Sequence, residues 1–378
     1  MIKIGILNPG TALKWGHNFG YWYFLKYFHK ELFQNGYIIK FYKQINKDFL
    51  KSDLIFLNSR IYTETKIKLI KKRLDLKSNH NFLDPLRTLY KKNPNIIWLD
   101  FSDSAGNTQF EVLPYVKKYV KKQFYKDKSL YKKNFFRNRY YSDYYQKNFN
   151  LENYSSQKFE TLKDEYFNKL VLGWNIGVGN FFDTFNYSKI TKFTSILRAI
   201  NNSNPKNLFK YTLGYYDGHK RENNIFFKSN LRKNENKISI HYQRQKVSEI
   251  LTKKYGEINS KRLNHKNFLL SLKNSKISVG AFGWGEICYR EFEAIKMGTA
   301  VLFPNMDNIE TWPNIYQDGK TYLSYDYDMN NLLEKVEELL SNDELRNNLV
   351  KNSQKVCKSV YDTEGQKYLI NFFDKIIK

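Results

Sequence analysis

The stretch from Ser278 to Pro304 holds the densest set of residues able to do chemistry. It reads as strand, glycine loop, helix, glycine, strand. Gly280, Gly283 and Gly285 allow a ligand close to the backbone, and Trp284 stands between two of them. A loop of this kind also places free amide groups at a helix N-terminus, where anions bind. The spacing predicts a helix over about 286–297. On it Cys288, Phe292 and Ile295 recur at i, i+4, i+7 as an apolar stripe, and Glu286, Arg290 and Glu293 recur at the same spacing on another side. A charged row of this spacing is usually a solvated face. This one begins at a glycine loop and ends at Gly298 before the apolar run Ala300–Pro304, which puts it at the carboxyl end of a sheet, where open α/β sheets bind ligands.

Other chemistry-bearing residues lie apart in sequence. Asp100 and Asp103 follow the apolar run 96–99, and carboxylates at a strand's carboxyl end suit a general base as well as an Asx turn. His17, in a turn-rich first loop, is a second candidate base. Arg244 and Lys246 stand at the start of a helix over 243–255, where they would either face an anionic ligand or simply face water. Asp326-Tyr327-Asp328 has the Asp-x-Asp spacing of a metal site, but it precedes an amphipathic helix and suits capping better. The six histidines show no ligand spacing, so no required metal is expected.

These residues need a scaffold, and the sequence supplies a repeating one. Apolar runs at 2–7, 37–42, 53–58 and 95–101 alternate with helical stretches such as 21–34, which Asn35-Gly36 stops. That rhythm predicts a parallel sheet with crossover helices. Residues 170–179 read as a strand entering a glycine-rich turn near a cleft, and the Asn-rich 201–207 as a linker. A second α/β series follows: a strand at 225–227, helices at 243–255 and 267–273, strands at 277–279 and 300–304, an amphipathic helix over 332–340, and a terminal helix over 366–377. Ser341 to Glu344 has the capping-box pattern for the helix between those last two.

The chain has 378 residues, more than one core usually organises, so two domains are expected. Its 63 basic and 37 acidic residues leave a net charge of +26, which points to an anionic partner, although AT-rich codons favour the same Lys, Asn, Ile, Tyr and Phe. Residues 117–147 concentrate this: 11 Lys or Arg, two acidic residues and ten Tyr or Phe. They read as a partly helical, amphipathic element facing an anionic acceptor or membrane surface, or as a cationic face over a local aromatic core. Two cysteines, a short N-terminal apolar run and no long apolar window predict a cytoplasmic chain without a secretory signal or transmembrane helix.

With Gly283, Gly285, Arg290, Phe292, Glu293, Ala294, Gly298, Leu302 and Pro304 in place, the segment resembles the donor-site motif of GT-B glycosyltransferases, especially the group-1 and exostosin-like branches. The resemblance implies an α/β fold of two Rossmann-like domains facing each other across a cleft: residues 1–200 on the acceptor side, 205–360 binding the donor, and a C-terminal helix within 361–378 returning to the first domain. It implies transfer of a sugar from a nucleotide-sugar donor to a glycan or lipid-linked saccharide, without metal or resident cofactor. Glu293 would hold the ribose and Arg290 the diphosphate, with Arg244 and Lys246 assisting and Gly283, Trp284, Gly285 and Glu286 lining the donor. Asp103, Asp100 or His17 would serve as base. The second glutamate common eight residues before the first is replaced by Gly285, with Glu286 one position off, so retention or inversion stays open. Alternative readings are a phage-type transferase acting on DNA bases, or a basic nucleic-acid- or membrane-binding protein with a degenerate donor site.

Overall fold

The computed structural model describes residues 1–8, 16–59, 83–149, 151, 160–178, 220–231, 238–258 and 263–378, the side chains of 16–20 excepted. The expected linker 201–207, the domain boundary near 200–205 and most of the first loop lie outside the described residues.

The first half is a parallel sheet. Its strands are β1 (Ile2–Leu7), β2 (Tyr37–Tyr42), β3 (Leu54–Asn58), β4 (Ile96–Asp100), β5 (Lys118–Lys121) and, after the short β6 (Gln123–Tyr125), β7 (Leu170–Leu172). Their order is β2-β1-β3-β4-β5-β7. The second half is also parallel: β8 (Asn223–Phe226), β9 (Ser275–Val279), β10 (Ala300–Pro304) and, beyond β11 (Ile309–Thr311), β12 (Leu323–Tyr325), in the order β12-β10-β9-β8. β3, β4 and β10 are buried at every position, as apolar runs covered on both faces must be.

The helices in chain order are α1 (Gly16–Tyr27), α2 (His29–Gln34), α3 (Lys47–Leu50), α4 (Leu83–Lys92), α5 (Tyr140–Phe149), α6 (Ile238–Tyr255), α7 (His265–Lys273), α8 (Tyr289–Lys296), α9 (Leu332–Ser341), α10 (Asp343–Ser359) and α11 (Thr363–Ile377). The single helix expected over 21–34 is two, and α1 starts earlier, so His17 stands in a helix rather than a loop. Asn342, not Ser341, caps α10: its side-chain oxygen accepts from the Leu345 N–H at 2.9 Å. α11 returns to the first half as expected. Leu369, Phe372, Phe373 and Ile376 share one core with Ile4, Phe56 and Trp174, and Tyr37 donates its hydroxyl to Asp374 at 2.6 Å.

Residues 117–147 differ most from the sequence reading. They form two strands, short 3-10 turns and α5, not one amphipathic helix. Tyr119, Tyr125, Tyr131, Tyr141 and Tyr145 are buried, and five lysines find acids: Lys121 with Asp100, Lys122 with Asp103, Lys128 with Glu310, Lys132 with Asp164 and Lys147 with Asp143. The aromatic residues form a local core, the second of the two expectations, and pack the junction of the halves. β6 pairs antiparallel with β11 of the second half, Tyr141 stacks on Phe282 with centroids 4.5 Å apart, and Tyr144 lies 5.3 Å from Tyr327. Among the described residues no helix is long and apolar enough to cross a membrane.

Candidate active site at the glycine loop

β9 ends at Val279, and its chain turns through residues 280–288 into α8. α8 runs back to Gly298, whose φ of +66° favours glycine, before β10 begins. The loop therefore stands at the carboxyl end of the second sheet. Its glycines serve close packing of the chain on itself. A Cβ at Gly280 would meet the Phe303 ring, one at Gly283 would sit 2.7 Å from the Cys288 sulfur, and one at Gly285 would collide with the Asp103 carbonyl. From the first half, Gly177 packs flat on the Phe292 ring of α8. Several loop amides are already used. The Phe282 N–H donates to Gln243 at 2.8 Å, the Gly283 N–H to the Gly285 carbonyl at 3.2 Å, and the Cys288 N–H to Glu291 at 3.2 Å.

Two guanidinium groups flank the loop. Arg244, from α6, donates its Nε to the Phe282 carbonyl at 3.1 Å, and one Nη lies 3.7 Å from where a Cβ on Gly283 would be. Arg290 donates Nη2 to the Ala281 carbonyl at 2.7 Å and Nε to Glu291 at 3.0 Å. Each thus spends part of its fork on scaffold. Both Nη groups of Arg244 and the Nη1 of Arg290 have no partner among the described residues. Burial, and then the charge of Arg290, lowers the Arg244 pKa. An anion beside Arg244 would relieve that repulsion. Burial alone would lower Arg290 as well, but the Glu291 carboxylate beside it holds its pKa up. Burial pushes the Cys288 thiol up to about 12, so it is no thiolate nucleophile near neutral pH.

The other expected site residues divide. Glu293, with 12% of its side chain exposed, bonds His265 at the start of α7, 2.7 Å away, through Oε1. The predicted charged stripe does not include Glu286, because α8 begins only at Tyr289. Glu286 is buried in the loop and crosses to the first half, accepting from the Ser104 hydroxyl at 2.7 Å and the Ala105 N–H at 2.9 Å. Its carboxylate braces the loop against the first half. Asp100 is likewise corrected. It is buried, and accepts from Tyr119 at 2.6 Å, Lys121 at 2.8 Å and the Ser102 N–H at 2.8 Å. Burial would raise its pKa, but Lys121 and the hydrogen bonds from Ser102 and Tyr119 together hold it below the usual carboxylate value. Lys246 lies on the outer side of α6, half exposed, 3.9 Å from Glu249. Asp103 remains: its carboxylate is 43% exposed, 3.4 Å from Lys122, and its backbone abuts Gly285. The side chain of His17 lies outside the described residues. Asp328 accepts from the Asn330 N–H at 3.0 Å in the turn before α9, and no group of three or more His, Cys, Asp or Glu able to hold a metal occurs among the described residues.

Four residues that the sequence reading passed over complete the site. Arg139 and Tyr141, from the first half, hold the carbonyls of Gly283 and Trp284. Glu291 locks the first turn of α8, and Gln243 holds Phe282. Only Glu291 left a local signal, three residues after a cap position, and that position is filled by cysteine rather than the usual Ser, Thr, Asp or Asn.

No protein-family description matches the chain, and no curated protein matches it. Solved structures similar to it nearly end to end include an alpha-glucosyltransferase in complex with UDP-glucose and DNA containing an abasic site, at 13% identity and a TM-score of 0.39 over 98% of this chain and 99% of that one. HepE of Anabaena, in complex with UDP-glucose, is similar at 10% identity and a TM-score of 0.43 over 98% of each chain. The UDP-GlcNAc 2-epimerase of Neisseria meningitidis is similar at 10% identity and a TM-score of 0.36 over 99% of this chain and 100% of that one. The strand orders, the glycine loop at the carboxyl end of the second sheet and the helix returned to the first sheet make this a fold of the GT-B type, two Rossmann-like sheets joined by a returning C-terminal helix.

Proposed function

We propose that this chain transfers a glycosyl group from a nucleotide-sugar donor to a saccharide acceptor, free or lipid-linked. The observation that carries this reading is the pair Arg244 and Arg290, held by backbone carbonyls at the glycine loop with guanidinium donors that have no partner among the described residues. Cleavage of a nucleotide sugar leaves a diphosphate on which negative charge develops, and prepositioned guanidiniums stabilise that charge without reorganising. Glu293 gives one oxygen to His265 and keeps the other for the hydroxyls of a ribose. Asp103, the exposed carboxylate at the carboxyl end of the first sheet, takes the acceptor proton. The nucleotide sugar is a substrate, and the scheme calls on no resident cofactor.

Calorimetric titration with UDP, GDP and CMP tests the donor side. Arg244→Ala and Glu293→Gln should each weaken the cognate nucleotide by about ten- to a hundredfold, since a hydrogen bond to a charged group is worth roughly 1.5–3 kcal/mol. Both variants binding like the wild type would remove the basis for this reading. A second reading, with DNA as acceptor, is favoured by the net charge of +26. It requires DNA affinity that falls steeply with salt.

A further inference from the structure

Glu286 leaves the glycine loop and gives both carboxylate oxygens to the other half. It is buried; Oε1 accepts from the Ser104 hydroxyl at 2.7 Å and Oε2 from the Ala105 N–H at 2.9 Å. Gln123, buried on β6, joins the same two loops: its Nε2 donates to the Asp103 carbonyl at 2.5 Å and to Glu286 Oε2 at 3.4 Å. No space is left between them, because a Cβ on Gly285 would sit 1.9 Å from the Asp103 carbonyl oxygen. Arg139 and Tyr141 hold the glycine loop from the first half as well, donating to the Trp284 carbonyl at 2.8 and 3.2 Å, and Tyr141 also to that of Gly283 at 3.1 Å. The sequence placed Trp284 with the donor; its backbone is held at the border between the halves. The three donors that Glu286 meets are neutral. A buried carboxylate held in this way is a costly means of joining two halves that apolar packing already joins. What it adds is direction: two atoms of the 104–105 turn are kept at hydrogen-bond distance from one side chain of the donor loop.

We propose that Glu286 is a positioning residue that ties the place of Asp103 to the state of the donor loop, so that a nucleoside diphosphate bound at Arg244 and Arg290 also tightens the turn carrying the acceptor-side base. This rests on the glycosyltransferase reading above. The path is short and contiguous. Arg244 holds the Phe282 carbonyl at 3.1 Å, and Arg290 holds that of Ala281 at 2.7 Å. Glu286 follows four residues after Phe282 on the same loop and ends on Ser104 and Ala105, the two residues after Asp103. An anion that stills the two guanidiniums therefore stills the carbonyls they hold, and the loop passes that restraint to the turn through hydrogen-bonded atoms. Within its own half the turn is held by longer bonds: the Asn107 N–H donates to the Ser104 carbonyl at 3.3 Å and the Tyr131 hydroxyl to the Ala105 carbonyl at 3.1 Å. A base misplaced by about 1 Å can lose about a hundredfold in rate, so a restraint that arrives with the donor bears directly on transfer.

Amide hydrogen exchange of the full chain, read by mass spectrometry over residues 100–108, tests this with saturating UDP, GDP or CMP. In the wild type the nucleotide that binds should slow exchange there by about fivefold or more, the lower end of coupling between sites. Glu286→Gln places an amide N–H where an acceptor is needed. It should still bind the nucleotide, because this side chain faces the first half, and the slowing should be lost. Ser104→Ala removes one of the two bonds from the first-half side and should lose part of the slowing; it carries the test alone if Glu286→Gln does not fold. The inference is overturned if bound nucleotide leaves 100–108 unchanged in the wild type. It is equally overturned if the variants exchange faster by the same factor with and without nucleotide, as a purely structural role would give. Calorimetry of the wild type with the same three nucleotides is the separate arm. Binding without a change at 100–108 defeats this inference alone, whereas absent binding defeats the transferase reading beneath it.

Discussion

The pair between Glu293 and His265 shows how one side chain can serve two ends. Glu293 is largely covered, and the imidazole at the head of α7 meets one of its oxygens at 2.7 Å. The hydrogen bond that the His265 ring donates to Glu293 raises the His265 pKa above its ordinary 6.5. A raised histidine stabilises the fold fully below the unfolded value and loses that contribution as pH climbs through the folded value. His265→Ala should therefore be less stable than the wild type near pH 6 and close to it well above neutrality. With the imidazole nearly half exposed, the difference stays within about 1 kcal/mol. Urea unfolding at the two pH values reads it, and a pH-independent difference would show that the pair is not charged. The placing of Arg290 and Glu293 on α8 and of Arg244 on α6 was legible in the sequence, because a motif of glycines and helical spacing surrounds the first two and an apolar-edged helix carries the third. Glu286 was placed in the charged helical row because helical spacing continues on paper three residues before α8 begins. His265, Arg139 and Tyr141 left no signal, since the chain brings them from 28, 145 and 142 residues away.

At the scale of elements, the donor half depends on where α7 and α8 end. Both helices leave carbonyls without helical partners at their C-termini. Arg221 collects them: Nη1 donates to the carbonyls of Lys273 at 2.6 Å and Ser275 at 3.1 Å, and Nη2 to those of Met297 at 3.1 Å and Gly298. One fork thus fixes the helix that carries Glu293 against the helix that carries His265. Arg221→Ala should cost roughly 2–4 kcal/mol in denaturant unfolding, with Arg221→Lys intermediate because it keeps the charge and loses the fork. A loss of less than about 0.5 kcal/mol would show that water replaces the guanidinium without cost. Apolar strands bounded by turn residues were readable at this scale; β5 was not. Lys118-Tyr-Val-Lys121 carries charge at both ends, and Lys121 is buried only because Asp100, on the neighbouring strand, neutralises it. A partner 21 residues away decides the burial of that lysine, and local pattern does not encode it.

At the scale of the molecule, the two halves share structure rather than merely face each other. The β6–β11 ribbon, the Tyr141–Phe282 stack and the buried Glu286 all cross the junction. One face of the first sheet merges with the buried residues of the second into one apolar cluster, while its other face packs separately under α11. Scanning calorimetry should therefore show a single transition. Glu286→Ala, which leaves the Ser104 hydroxyl and the Ala105 N–H without their acceptor, should lower stability by about 2–4 kcal/mol and move that one transition as a whole. Two separated transitions in the wild type would mean that the junction couples the halves only weakly.

The returning helix α11 adds a constraint of timing. Phe372, Phe373 and Ile376 seal the face of β1 and β3 that Ile4 and Phe56 present. During synthesis those strands emerge before α11, with more than 300 residues between β3 and its start. α1 and α2 cover part of their apolar face meanwhile. The part left for Phe372, Phe373 and Ile376 stays open until α11 arrives, and there a second nascent copy could mispair.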